Sequence, residues 1–336
     1  MGLVVALLSL TLVCYGRVNI PFAYAPLFIS KNDLREEIND IEINEGSGYF
    51  TIQGGHGKKD KQIKVYYHRP KNFKKDSKVL IVVPGDGRNA DNYRDTWVQE
   101  SENYGVLILS PMYAENDYPF EEYHMGGLLY DMNLKNSIQR VSGSNVVKLN
   151  ETSITISPNK NQKEWLFNDF DRIFELAIQA TKMTQTRYDI FGHSAGGQIL
   201  HRYVLFHPHS KADRILASNS GFYTMPDFET VLPFGTRNTT LSIDSLRSSF
   251  KKSLVLWIGE LDNESETHGT LLRSITADKQ GLHRLARARY FYNQSKNLAM
   301  QNGFDFNWHL EIVSGVGHDQ RKMGAAAAKF LYGKQN

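Results

Sequence analysis

The stretch "YDIFGHSAGGQILHRYVLF", Tyr188 to Phe206, decides the fold. A short β-branched and aromatic run ends at Phe191, and apolar positions from Ser194 onward recur at helical spacing, so a strand must turn into a helix within a few residues. Gly192-His193-Ser194-Ala195-Gly196 fits G-x-S-x-G, standing in the strand-turn-helix setting that gives this pattern meaning. The turn is tight enough to strain the serine backbone, and side chains at Gly192 and Gly196 would strike neighbouring elements. In return, Oγ of Ser194 is exposed at a helix N-terminus, whose amides and dipole favour negative charge.

Working outward, short apolar segments bounded by turn residues alternate with helical patterns from about Lys61 onward. "QIKVYYH", "KVLIVVP", "GVLILSP", "RYDIFG", "RILASNS", "SLVLWIG" and "WHLEIVSG" read as strands, most of them buried on both faces. Between them, helices are predicted over Asn92 to Tyr104, Lys163 to Lys182, Ser194 to Phe206, Leu282 to Asn302 and Gln320 to Leu331. This alternation implies right-handed crossovers and an α/β fold: one domain over 26–336, with a mostly parallel central sheet and helices on both faces. Two stretches break the rhythm. Residues 112–162 are long and polar and end in an expected hairpin, "NVVKLNETSITIS", whereas 221–252 is rich in Thr, Ser and Pro. Loops beyond the carboxyl ends of strands surround the ligand crevice of such a sheet, so both excursions are candidates for shaping a substrate site.

A nucleophilic serine needs an oxyanion site, a base and an orienting acid. The glycine-bearing turn "PGDGRNADNYR" follows strand "KVLIVV", which makes the backbone N–H of Asp86 the expected second oxyanion donor beside that of Ala195, with Gly87 as second choice. Among eleven histidines, His318 stands on a loop between a late strand and a helix. His207 and His209 flank a proline at a helix end, and His193 adjoins Ser194 in an elbow expected to turn it away. "KKSLVLWIGELDNES" runs from strand into loop and sets Asp262 three residues past the strand, between Ser194 and His318 in the chain. Glu260 and Asp319 are its competitors. On this reading Asp262→Asn lowers kcat with little change in thermal midpoint.

Composition limits the alternatives. A net charge of +3 with no concentrated basic stretch longer than the Lys71 to Lys78 neighbourhood argues against a nucleic-acid partner. The sole cysteine, Cys14, excludes a cysteine-based metal site and a thiol nucleophile further along the chain, and no metal ligand set is expected elsewhere. "LVVALLSLTLVCY" followed by "AYA" reads as a signal peptide over 1–25, with cleavage after Gly16 as the alternative. It predicts a secreted or periplasmic protein that does not remain inserted in a membrane. Four N-glycosylation sequons begin at Asn150, Asn238, Asn263 and Asn293.

With "VVPGDG", "GHSAGG", "IGELD" and "GVGH" in this order, the chain resembles the α/β-hydrolase superfamily over about Gln62 to Tyr332, and within it secreted polyhydroxybutyrate-depolymerase-like and feruloyl-esterase-like enzymes. The order Ser194, Asp262, His318 matches that superfamily. The resemblance implies a serine hydrolase without a cofactor, acting through an acyl-enzyme on a small-molecule or polymeric ester. Pro84 departs from it, standing where those enzymes commonly carry His, and residues 112–162 have no obvious counterpart. A serine peptidase and a non-catalytic binding protein on the same fold are the alternatives.

Overall fold

The computed structural model describes residues 41–333, so the signal-peptide reading of 1–25 lies outside the described residues. An eight-stranded sheet runs in the order β1-β2-β4-β3-β9-β10-β11-β13. Its strands are β1 (Gly46–Gln53), β2 (Gln62–Arg69), β3 (Val79–Val83), β4 (Leu107–Met112), β9 (Tyr188–His193), β10 (Ala212–Ser218), β11 (Ser253–Gly259) and β13 (Trp308–Val313). β1 and β2 pair antiparallel, as do β2 and β4, and every later pairing is parallel.

β3, "VLIVV", is buried at every position, as a strand covered on both faces requires. Its odd and even residues serve different layers. Val79, Ile81 and Val83 join a core with α4 (Phe167–Thr181), α5 (Ala195–Phe206), α6 (Ile243–Lys251) and α8 (Arg284–Gln301). Leu80 and Val82 face the opposite layer, with Tyr93 of α1 (Ala90–Thr96) and with Met323, Ala327 and Leu331 of α9 (Gln320–Tyr332). Across the sheet Val83 aligns with Gly192, His193 with Ser218 and Gly259 with Val313, so the loops after five parallel strands open on one edge. That edge carries Asp86, Ser194, Asn219, Asp262 and His318.

Several sequence expectations change in detail. The helix expected over Asn92 to Tyr104 is two: α1 stops at Trp97, and α2 (Val98–Tyr104) follows. Trp97 is buried with its ring edge-on to Phe191 at 5.3 Å, a core position that outweighs helical continuity. β13 is not buried on both faces, because it closes the sheet with only β11 beside it. β1 lies ahead of the region read as alternating; it pairs with β2 along its whole length, Gly46 with Arg69 through Gln53 with Gln62.

The expected hairpin within Asn145 to Ser157 is absent, and its two arms belong to different sheets. A 3-10 turn at Glu151–Ser153, capped by the Asn150 side chain, redirects the chain between β7 (Val146–Leu149) and β8 (Thr155–Pro158). β8 pairs with β5 (Leu129–Asn133), which follows the short α3 (Phe120–His124). β7 pairs antiparallel with β6 (Ile138–Arg140) and parallel with β12 (Leu271–Arg273), just ahead of α7 (Ile275–Gln280). The excursion is thereby stitched to the segment following Asp262. Asn145 strengthens that seam by donating from Nδ2 to the carbonyls of Glu266, His268 and Gly269 at 3.3, 3.4 and 3.0 Å.

Candidate active site

Ser194 sits between β9 and α5 with φ 60° and ψ −114°, a strained backbone for a residue with a Cβ. Close packing enforces it. A Cβ on Gly196 would collide with the Val83 carbonyl, and one on Gly192 with the Gly196 carbonyl, so the elbow closes only with glycine at both positions. The Ser194 N–H is taken by the Ser218 carbonyl at 2.9 Å. Ala195, as the first helical residue, directs its N–H out of the helix end.

A cleft of about 220 Å³ opens at this point, lined among others by Gly85, Asp86, Tyr93, His193, Ser194 and His318. His318 Nδ1 and Asp262 Oδ2 are 2.8 Å apart. Asp262 is fully buried and has two further partners. Asn219 Nδ2 donates to Oδ2 at 2.6 Å, and Arg284 Nη1 donates to Oδ1 at 2.8 Å. Burial pushes the Asp262 carboxyl upward, but the His318 hydrogen bond, the Arg284 charge and Asn219 outweigh it and hold the group down at about 2. For His318 burial lowers the imidazole, Asp262 opposes, Arg284 adds to the lowering, and the ring ends below its ordinary value.

The carboxylate competitors are engaged elsewhere. Glu260 accepts from Ser314 Oγ at 2.7 Å and from the Gly315 N–H at 2.8 Å, away from the imidazole. Asp319 caps α9 through the N–H groups of Arg321 and Lys322. Asp86 reaches the cleft, and its Oδ1 lies 2.9 Å from His124 Nε2.

Four contributors escape sequence reasoning. Asn219 also donates to the Gly317 carbonyl at 3.3 Å, joining the ends of β10 and β13. Its one trace is a polar residue at the carboxyl end of "RILASNS". Arg284 begins α8, and Glu266 accepts the His318 N–H at 2.6 Å; neither carries a motif. His193, expected to turn away from Ser194, also lines the cleft, its ring 4.6 Å from that of His318. Burial and the neighbouring His318 keep His193 neutral, well below the ordinary imidazole value. Among the described residues no cluster of His, Cys, Asp and Glu is arranged to hold a metal ion.

This sheet, with a strained serine after its central strand and an acid and histidine after later ones, is the α/β-hydrolase fold. No family model and no curated protein matches the chain. Solved structures do. Poly(aspartic acid) hydrolase-1 from Sphingomonas sp. KT-1 superposes with a TM-score of 0.72 at 29% identity, covering 86% of this chain and 100% of its own. LpqC, a poly(3-hydroxybutyrate) depolymerase from Bordetella parapertussis, gives 0.74 at 25% identity, over 90% of this chain and 95% of its own. The siderophore hydrolase EstA from Aspergillus nidulans shares the fold alone, at 14% identity and a TM-score of 0.51 over 86% of this chain and 94% of its own. These neighbours are hydrolases, and hydrolysis is the class of activity they support for this chain.

Proposed function

We propose that the protein is an exported serine hydrolase that cleaves carboxylic esters through an acyl-enzyme. Ser194 Oγ attacks the ester carbonyl while His318 accepts its proton. The N–H groups of Ala195 and Asp86 hold the oxyanion, and the protonated imidazole then returns its proton to the leaving alcohol. Water, activated by the same imidazole, releases the acid. Asp262 fixes the His318 tautomer and stabilises the imidazolium. The reading is carried by one observation: a histidine on the cleft wall beside a strained elbow serine, with its Nδ1 2.8 Å from a buried, ionised carboxylate. Export rests on the apolar run and alanines of residues 3–25.

A serine peptidase or amidase is the second reading, favoured by the likeness to an enzyme that hydrolyses poly(aspartic acid), whose linkages are amides. A fluorophosphonate probe, with Ser194→Ala as blank, tests the nucleophile; rates on matched p-nitrophenyl esters and anilides decide between ester and amide. Failure of the wild-type protein to label removes both readings in favour of a binding protein.

A further inference from the structure

Two of the neighbours named above are hydrolases of polymers that differ in charge, a neutral polyester and a polyanion. The lining of this chain's cleft bears on that difference. Among the described residues its walls hold Asn89, Tyr93, Gln320, glycines and the site residues, with one charged side chain, Asp86, and no lysine, arginine or aliphatic side chain. The Asp86 side chain is 69% exposed, so substrate meets it directly.

That carboxylate retains its charge. The hydrogen bond from His124 lowers it first, burial opposes, and the charges of Arg88 and Arg140 assist. His124 does not cancel it, since burial keeps that imidazole below its ordinary value and neutral at pH 7, with the Phe120 ring stacked on it at 3.9 Å. The nearby cations act on Asp86 from outside the cleft lining. Arg88 is buried with its guanidinium over the Tyr123 ring and Nη1 donating to the Tyr113 and Tyr118 carbonyls. Arg140 lies on the exposed strand β6, and Arg284 is neutralised by Asp262 behind His318.

We propose that Asp86, beyond its backbone role, makes this a site for uncharged acyl groups: its side chain repels substrates that carry an anionic group near the scissile carbonyl, so neutral esters are favoured over polyanionic chains. The proposal rests on the esterase reading and narrows it. One like charge within several ångströms at a solvated rim is worth about five- to tenfold in kcat/KM.

The test follows acid release from ethyl butyrate and monoethyl succinate, which have acyl groups of equal length, differ by a terminal carboxylate and, with a poor leaving group, do not cleave themselves at neutral pH. Wild type is expected to prefer the butyrate by about fivefold or more at low ionic strength. Asp86→Asn, which keeps the backbone N–H, brings the ratio at least halfway to unity. Salt at 1 M, where screening acts within about 3 Å, does the same without any variant. Equal rates on the two esters, or a ratio unmoved by both the substitution and salt, overturn the inference and leave the esterase reading standing. Absence of turnover on both, with Ser194 unlabelled by fluorophosphonate, overturns both.

Discussion

Arg284 Nη1 and Asp262 Oδ1 are 2.8 Å apart, with both side chains buried, so the acid that orients His318 is itself one half of a buried ion pair. Arg284 spends its other arm on the Thr270 carbonyl at 2.8 Å. The acid therefore serves the histidine with one oxygen and the fold with the other.

Asp262→Asn is expected to lower kcat by about 10³- to 10⁴-fold through loss of the correct tautomer. It also strands the Arg284 charge in the interior, a loss of about 3 kcal/mol or more. This replaces the expectation, formed without Arg284 in view, that the thermal midpoint stays put. Calorimetry should show a fall of several degrees, while Glu260→Gln and Asp319→Asn keep near-normal kcat; a large loss in either of those would redraw the triad.

Ser194→Ala should abolish turnover and probe labelling while leaving the far-ultraviolet circular dichroism spectrum intact, because Oγ is the proposed attacking atom and the strained φ of 60° is enforced by packing at Gly192 and Gly196. Activity within tenfold of wild type would exclude Ser194 as nucleophile.

The two neighbouring histidines should separate sharply. His318→Ala is expected to cost about 10⁴-fold or more in kcat. His193→Ala removes a ring 4.6 Å from the base and is expected to cost roughly ten- to a hundredfold through misplacement, with turnover still measurable. The reverse ranking assigns the proton transfer to His193.

His318 must be neutral to accept a proton, and its value lies below the ordinary 6.5, so kcat/KM should rise with pH to a plateau that begins below neutrality. Arg284 contributes to that lowering, and Arg284→Gln should move the acid limb upward. A wild-type midpoint at or above 7 contradicts the assignment. Stability follows the Asp262 carboxyl: its folded value of about 2 lies below the ordinary 3.8, so it contributes on the order of 2 kcal/mol above that ordinary value, lost as pH falls toward 2. Urea denaturation between pH 5 and 2 reads this, and Asp262→Asn should flatten the dependence.

What could be read from the sequence were features written in one place. The elbow announces itself because strand, glycines, serine and helix are contiguous, and the chain order of Ser194, Asp262 and His318 picks out the acid and histidine that the fold brings within 2.8 Å. Contributions that exist only through folding were not legible. Asn219 meets Asp262 from a separation of 43 residues, and Arg284 arrives from the first turn of a helix that carries no motif. The hairpin expected in residues 145–157 failed for a related reason: apolar alternation specifies strands, but their partners were β6, β12 and β5, chosen by tertiary pairing rather than by proximity in the chain.

The seam between β7 and β12 bears on the order in which the molecule comes into being. Asn145 meets the carbonyls beside His318 across 121 to 124 residues of chain, a closure whose entropic cost falls due before any contact repays it. A refolding chain can hold its central sheet and elbow while the segment between Asp262 and β12 is still unsettled. Nucleophilicity should then return later than secondary structure, and probe labelling of Ser194 during refolding should lag the recovery of circular dichroism, a delay that Asn145→Ala lengthens.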